Sequence, residues 1–473
     1  MKRTSVVVVG GGITGLAAAY TLARKSIDFL LIEKEPRLGG TIRTEREAGF
    51  LLDTGPDAFL AQKPDGVALC RELGIEKRLI PTNPAERAVY VLHGGRLHPL
   101  PEGMVLTVPT RILPLVSSSL FSLAGKVRMA LDLLIPARTG PDESIASFVR
   151  RRLGQEALER LAEPLLAGIH SGDPERLSMS FLFPRFVELE KKYGSLIRGM
   201  RKAAPRRTPD KKSGKAASIF LSLEGCLGEL VDAIAERLPE ESLLKGEGVR
   251  ALRNDGEGYS LRLESGEEVY ASACVMAAPL RVAERLVENV SSDVADLLVG
   301  IPTVSTAVVF LGFPREQVRH PLNGYGFVVP RTEGRRILAA TFVSSKFANR
   351  APSSHVLLRA FLGGARDPNV LGLSDAALVD LVGRELGEIL GSLGEPSFSR
   401  VRRWQHGTPQ VEVGHADRLA AIEARLKETP GLELAGNGIR GVGIPDCIAD
   451  GRRSAEAAVQ FLESGAREST AGV

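Results

Sequence analysis

Gly10, Gly12, Gly15 and Glu33 have the residue types and spacing to hold a dinucleotide. Gly10 permits a tight turn, Gly12 lets a pyrophosphate come up to the backbone, and Gly15 lets a helix pack closely on a strand. Glu33 stands where a carboxylate can accept hydrogen bonds from a ribose 2′-OH. An acid there favours an unphosphorylated ribose, hence FAD or NAD over NADP. These groups work only if regular elements position them. Ser5–Val9 reads as a strand, the segment to Arg24 as a helix, and Phe29–Glu33 as a second strand. Ile13 and Thr14 open that helix, whose N-terminus offers free N–H groups and a positive dipole end to a phosphate.

The next residues narrow the ligand. Lys34, Arg37, Gly39, Gly40, Thr41 and Arg43 follow the acid directly. The second glycine pair lets more backbone approach, and Arg37 and Arg43 bring positive charge to a pyrophosphate. A plain NAD dehydrogenase has no need of that contact. A strand from Gly49-Phe50 to Asp53 then ends in a turn at Thr54-Gly55-Pro56. This order resembles the flavin-containing amine oxidase superfamily, in which FAD is buried and held along its full length.

A matching half lies near the other end. Leu434-Ala435-Gly436 runs into Gly438, Gly441, Val442, Gly443 and Ile444, and a helix is expected from about Asp446 to Phe461. Small residues let a ribityl chain and pyrimidine edge lie on backbone. The helix N-terminus can stabilise the negative charge of a reduced flavin.

Composition sets limits. A chain of 473 residues can hold two or three domains and enclose a cofactor. A net charge of +4 is too small to argue for nucleic acid. Cys70, Cys226, Cys274 and Cys447 are scattered without a CxxC pair, so no metal site is expected and a reducing cytoplasm is. The apolar run Val6–Val9 is too short for a signal peptide. Leu113–Ile135 is the best membrane candidate, but Lys126, Arg128 and Asp132 interrupt it. It reads as a core helix, a helix lining an apolar pocket, or an amphipathic helix on a bilayer. Residues 191–215, rich in Lys and Arg with Pro205 and Pro209, read as a surface loop.

Helix patterns cover Ser144–Leu153 and Gln155–Ala167, with Asp142 to Ser144 available as a cap. Strands return at Ser218–Leu223, Val249–Leu252, Tyr259–Leu263, Val269-Tyr270 and Cys274–Pro279, around a helix Leu227–Arg237. Residues 300–410 alternate strands with two helices and look like a second sheet domain.

The chain is similar to the protoporphyrinogen oxidase family, with its relatives the oxygen-dependent bacterial coproporphyrinogen III oxidases. The likeness spans nearly the whole chain. It is carried by Gly10–Gly15, Arg37–Gly40, Gly94–Pro101, Asp142–Ser144, Arg151–Gly154, Gly168–Pro174, Leu177-Ser178, Phe347–Pro352, Gly363–Ala365, Pro409-Gln410, Gly414-His415 and Gly441–Ile448. It implies an α/β fold: a Rossmann-like FAD-binding domain, a second α+β substrate domain and a helical subdomain, all discontinuous. The FAD domain would comprise residues 1–60, 218–295 and 426–473. The substrate domain would take 61–99 and 296–425, and the helical subdomain 100–217. Val249 and Ala278 would lie against the cofactor.

The implied reaction oxidises a porphyrinogen, with O2 giving hydrogen peroxide. Protoporphyrinogen IX is placed ahead of coproporphyrinogen III, although Lys346 stands where specialists for the former carry an apolar residue. The backbone carbonyl of Gly168 would orient pyrrole N–H groups, and His170 would pack near the ring. Arg87, Arg96, Lys346 and Arg440 are the candidate cations for rim carboxylates. Phe327, Val329, Phe342, Phe347 and Phe361 are the candidate walls. A monomer or homodimer with a peripheral membrane contact is compatible with all of this. The competing classes are an amine oxidase, which needs an aromatic cage, a desaturase, which needs a longer apolar tunnel, and a non-catalytic flavoprotein or porphyrin carrier.

Overall fold

In the computed structural model, residues 2–105, 107–203 and 218–471 are described. Five parallel strands form the heart of the first sheet, in the order Leu243–Lys245, Phe29–Glu33, Lys2–Val9, Glu268–Met276 and Leu432–Leu434. Val6–Val9 and Leu30–Ile32 are buried on both faces, as the unbroken apolar runs of a covered parallel sheet require. The two expected strands at 269–270 and 274–279 are one strand, Glu268–Met276. Its first half pairs antiparallel with Tyr259–Leu263 and its second half pairs parallel with Leu432–Leu434. This dual role is invisible in local periodicity.

Helix Ile13–Arg24 packs on the sheet and against the long helix Ile444–Ala471. The second helix starts two residues before the expected Asp446 and runs ten residues past Phe461. A Cβ on Gly451 would collide with the Thr14 carbonyl, so the two helices touch through backbone. Both helix N-termini therefore open on the edge where the parallel strands end.

The second sheet has seven strands, in the order Phe398–Pro409, Thr303–Pro314, His355–Gly363, Ile337–Phe342, Gly326–Val328, Val89–His93 and Arg96–Pro99. Helix Asp375–Leu390 covers one face, packing Leu378, Val382 and Leu386 into a core with Phe313, Phe327 and Phe342. The other face meets the helices of residues 112–203 through Val91, Val328 and Ala339.

Those helices are short. Leu113–Ile135 is not one helix but Ile112–Ser117, Leu123–Ala130 and a tight turn Leu131–Leu133. Asp132 explains the fold-back. Its carboxylate is fully buried and accepts from Arg152 Nε at 2.6 Å, Ser195 Oγ at 2.6 Å and the Ile197 N–H at 2.9 Å. Ser144 caps helix Ile145–Leu153, accepting from the Ser147 N–H at 3.1 Å. The basic stretch expected as a loop from 191 is helical over Leu196–Ala203, and residues 204–217 lie outside the described residues.

Candidate active site

The three glycines of the first turn do different work. Gly10 has φ +104°, and a Cβ there would lie 2.7 Å from the Ala277 carbonyl oxygen. A Cβ on Gly15 would collide with the Gly10 carbonyl. Gly12 is the opposite case: a Cβ there meets nothing within 4 Å. It faces an open trough.

Around that trough the backbone is drawn in. The Gly39 N–H donates to the Gly11 carbonyl at 2.8 Å, and Gly40 presses on the Cα of Gly12. A Cβ on Gly55 would collide with the Thr41 carbonyl, so the Thr41 and Gly55-Pro56 turns interlock. From the C-terminal side, Gly436 (φ +135°) donates its N–H to Asp450 at 2.9 Å and lies near Thr14. Val442 and Gly443 lead into the long helix, where Ile444 is buried. Helix Ile13–Arg24 makes its first internal bond from the Leu16 N–H to the Gly12 carbonyl. The N–H groups of Ile13, Thr14 and Gly15 thus lack intrahelical acceptors. A cradle that a Cβ on Gly12 would fill, lined by free N–H donors, fits a pyrophosphate. Glu33 accepts from the Gly11 N–H at 2.6 Å and the Glu35 N–H at 2.8 Å, which fixes its carboxylate at the strand end. Val249 is buried where its strand bends, and Ala278 follows the strand end at Met276.

The three expected cofactor cations each have protein partners. Arg37 donates from its terminal nitrogens to the carbonyls of Leu38, Gly40 and Ile42 at 3.0, 2.6 and 3.2 Å, which ties it to the glycine loop, while its buried Nε–H has no acceptor among the described residues. Burial, with Arg43 and Arg402 nearby, holds its guanidinium below the usual range. Arg43 pairs with Glu45 at 2.7 Å, and Lys34 points outward to Glu264 at 2.9 Å.

On the substrate side, helix Glu163–His170 ends at Ser171, which adopts a left-handed conformation (φ +51°). The Ser171 N–H bonds the Ala167 carbonyl, and Gln410 Nε2 bonds the His170 carbonyl at 3.1 Å. Neither closing bond reaches the Gly168 carbonyl, which is left to accept from elsewhere. A Cβ on Gly168 would lie 3.4 Å from the Ala339 side chain of the second sheet. His170 stands edge-on to Phe183. Burial, and secondarily the charge of Lys63, pushes its imidazole down to about 4, so it is neutral near pH 7.

Several substrate expectations need correction. Phe327, Val329 and Phe342 lie in the core under helix Asp375–Leu390, on the far face of the sheet. Strand alternation decides this: Val328 and Ala339 take the near face, where Phe361 also packs. Lys346 is not a free cation. Its Nζ lies 2.7 Å from Asp57, and its side chain is only 14% exposed. Burial works against the Asp57 anion, but Lys346 and Arg359 outweigh it and hold its carboxyl below the usual range. Arg440 is spent on Asp450 and Glu423, both at 3.0 Å, and on the Leu434 carbonyl. It braces the C-terminal glycine loop. Arg87 is exposed and, among the described residues, held only by the Pro84 carbonyl at 2.9 Å. Arg96 is exposed at the opposite end of the Val89–Pro99 hairpin.

Sequence reasoning missed Asp57, Lys63, Arg359, Trp404 and Asp446. Arg359 Nη2 donates to the Gly55 carbonyl at 2.5 Å and Trp404 Nε1 to the Thr54 carbonyl at 2.9 Å, so both fix the Gly55 turn. A lone arginine in the apolar strand His355–Gly363 was the available signal.

The fold and the trough define a dinucleotide-dependent oxidoreductase in which the second sheet braces the Gly55 turn beside the trough. The chain belongs to the flavin containing amine oxidoreductase family, whose model matches residues 13–459. That makes the dinucleotide FAD. The chain is 38% identical to the coproporphyrinogen III oxidase of Bacillus subtilis (strain 168), over 98% of this chain and 99% of that protein. It is 33% identical to protoporphyrinogen oxidase 1, chloroplastic, of Arabidopsis thaliana, over 94% of this chain and 86% of that one. A crystal structure from Exiguobacterium sp. 255-15, provisionally named a protoporphyrinogen oxidase, superposes with a TM-score of 0.86 at 33% identity, over 98% and 99% of the two chains. Reduced UDP-galactopyranose mutase, at 16% identity and a TM-score of 0.72 over 97% and 96%, shares the fold alone.

Proposed function

We propose that the protein is an FAD-dependent oxidase of a porphyrinogen in heme biosynthesis, with O2 as electron acceptor. Bound FAD supplies the hydride acceptor, and O2 removes those electrons as hydrogen peroxide. The protein's own contribution is orientation. The Gly168 carbonyl, without a partner among the described residues, carries this reading: it can accept from pyrrole N–H groups of a macrocycle lying between the second sheet and the cofactor trough. Neutral His170 packs beside the ring, and Arg87 reaches for a rim carboxylate. An acid–base dyad is not required.

Protoporphyrinogen IX and coproporphyrinogen III both present pyrrole N–H groups and rim carboxylates to such a site. The two-propionate substrate comes first on sequence grounds. The 38% likeness to a coproporphyrinogen III oxidase favours the four-propionate substrate, and we give that observation the greater weight. Anaerobic mixing with each porphyrinogen, followed by flavin bleaching and porphyrin fluorescence, tests the reading. Bleaching by neither would remove the assignment; a large excess of protoporphyrinogen turnover would reverse the ordering.

We also propose a cytoplasmic protein with a peripheral membrane contact. Leu113, Leu123 and Leu134 are 82%, 79% and 77% exposed, and Ile112, Val116 and Val127 are exposed beside them. Lys126, Arg128 and Arg111 bring positive charge to the same short helices, the pairing that suits an anionic lipid surface. No helix among the described residues is long and apolar enough to cross a membrane. Co-sedimentation with anionic vesicles should fall sharply for Leu113→Glu/Leu123→Glu; unchanged binding would remove this contact.

A further inference from the structure

One ion pair joins the start of the C-terminal helix to the segment leaving the first nucleotide-binding unit. Lys63 Nζ lies 2.6 and 2.5 Å from the two carboxylate oxygens of Asp446. Asp446 is the third residue of helix Ile444–Ala471 and accepts from the Gly443 N–H at 3.1 Å. The two side chains are 45% and 22% exposed, so solvent reaches the pair. Lys63 is also the charge that, after burial, lowers the His170 imidazole. Gly443, whose N–H binds Asp446, belongs to the C-terminal glycine loop, so the pair lies on that side of the cofactor trough.

The two residues differ in how far their own helices explain them. Asp446 sits in a helical first turn, where an acid is favoured, and it supports the helix start. Lys63 immediately precedes helix Pro64–Glu72, where the dipole disfavours a cation. Its placement is explained across the pair instead. An uncompensated Asp446 carboxylate would set a full negative charge in the helix turn whose positive end addresses the cofactor. That would oppose the negative charge that reduction adds.

We propose that Lys63 and Asp446 form a charge-setting pair for the flavin, in which Lys63 cancels the Asp446 carboxylate and leaves the helix N-terminus free to stabilise the reduced cofactor. The proposal rests on FAD occupying the trough. It goes beyond that reading by assigning opposite electrostatic effects to two neighbouring residues.

Opposite effects make the test sharp. In the FAD-loaded protein, Lys63→Met keeps the side-chain stem and removes the charge. It should shift the reduction equilibrium about tenfold toward oxidised flavin, about 30 mV for a two-electron couple, and weaken sulfite binding about tenfold. Asp446→Asn keeps an oxygen for the Gly443 N–H and should shift both quantities the other way. The double variant should return to within about threefold of wild type, and Lys63→Arg should restore most of what Lys63→Met loses. A merely structural clip would lower thermal stability in each variant and leave the midpoint potential and sulfite affinity unmoved; that result would overturn the proposal. So would shifts of the same sign, or loss of FAD from both single variants. A wild-type protein that takes up no FAD would instead refute the cofactor reading.

Discussion

Replacing Gly12 with valine should separate folding from cofactor binding. Gly12 precedes helix Ile13–Arg24 with φ −70° and ψ 177°, an extended conformation open to any residue. A Cβ there touches no protein atom within 4 Å, so the fold has little reason to object. Exchanging glycine for valine at the cap position costs about 1 kcal/mol or less of helix stability. The added methyls occupy the trough in which the pyrophosphate must sit. We expect FAD affinity to fall at least about a hundredfold, about 2.8 kcal/mol at 1.4 kcal/mol per tenfold. Two measurements follow it. Purified Gly12→Val protein should be colourless at 450 nm. Its melting temperature should also ignore added FAD, whereas wild type gains about 2.7 kcal/mol when FAD exceeds its Kd a hundredfold. Gly15→Val supplies the contrast. Its Cβ would strike the Gly10 carbonyl, so it should fail to fold even without FAD. A yellow Gly12→Val protein, or a Gly15→Val protein as stable as wild type, would show that these glycines have been assigned the wrong tasks.

Arg87→Ala should raise KM for the porphyrinogen more than it lowers kcat, because anchoring a rim carboxylate is mostly uniform binding; steady-state kinetics with the reverse pattern would remove Arg87 from that role. Arg152→Ala leaves the fully buried Asp132 carboxylate without its cation. It should cost about 3–5 kcal/mol by chemical denaturation and loosen the helical region in hydrogen exchange, and a change under 1 kcal/mol would contradict the buried-pair argument. The Asp53 carboxyl is pushed up to about 6, chiefly by burial, against 3.8 for an unperturbed aspartate. The folded state therefore holds this proton more tightly, and its contribution to stability is present at low pH and lost as pH rises from about 4 to 6. Asp53→Asn should remove that part of the pH slope in denaturation midpoints; an unaltered slope would show that another group titrates.

The cofactor half of the molecule was legible because its requirements are local. Glycine spacing, a buried strand and an acid at the strand end each follow from neighbours in sequence. The ends of the charged side chains were not legible. Lys346 and Arg440 look free in the sequence, yet Asp57 and Asp450 claim them across 289 and 10 residues. Arg37 looks like a phosphate ligand, and three nearby carbonyls hold its terminal nitrogens while its buried Nε–H is left without an acceptor among the described residues. Phe327 failed for another reason. A one-residue change in register moves a strand residue to the other face, and Val328 rather than Phe327 faces the site. Asp132 warned that Leu113–Ile135 does not span a membrane, but its partners Arg152 and Ser195 could be found only in three dimensions.

The contact between helix Ile13–Arg24 and helix Ile444–Ala471 bears on how the chain is made. At ribosomal rates of about 5–20 residues per second, the first helix waits on the order of tens of seconds for its partner to emerge. Through that interval Thr14 and Ala17, which meet Gly451 of the long helix, lack that neighbour, although both are buried at the end. The nascent molecule therefore needs shelter from a chaperone or from its own intervening segments, and a ribosome that stalls late leaves an aggregation-prone product rather than a half-working enzyme.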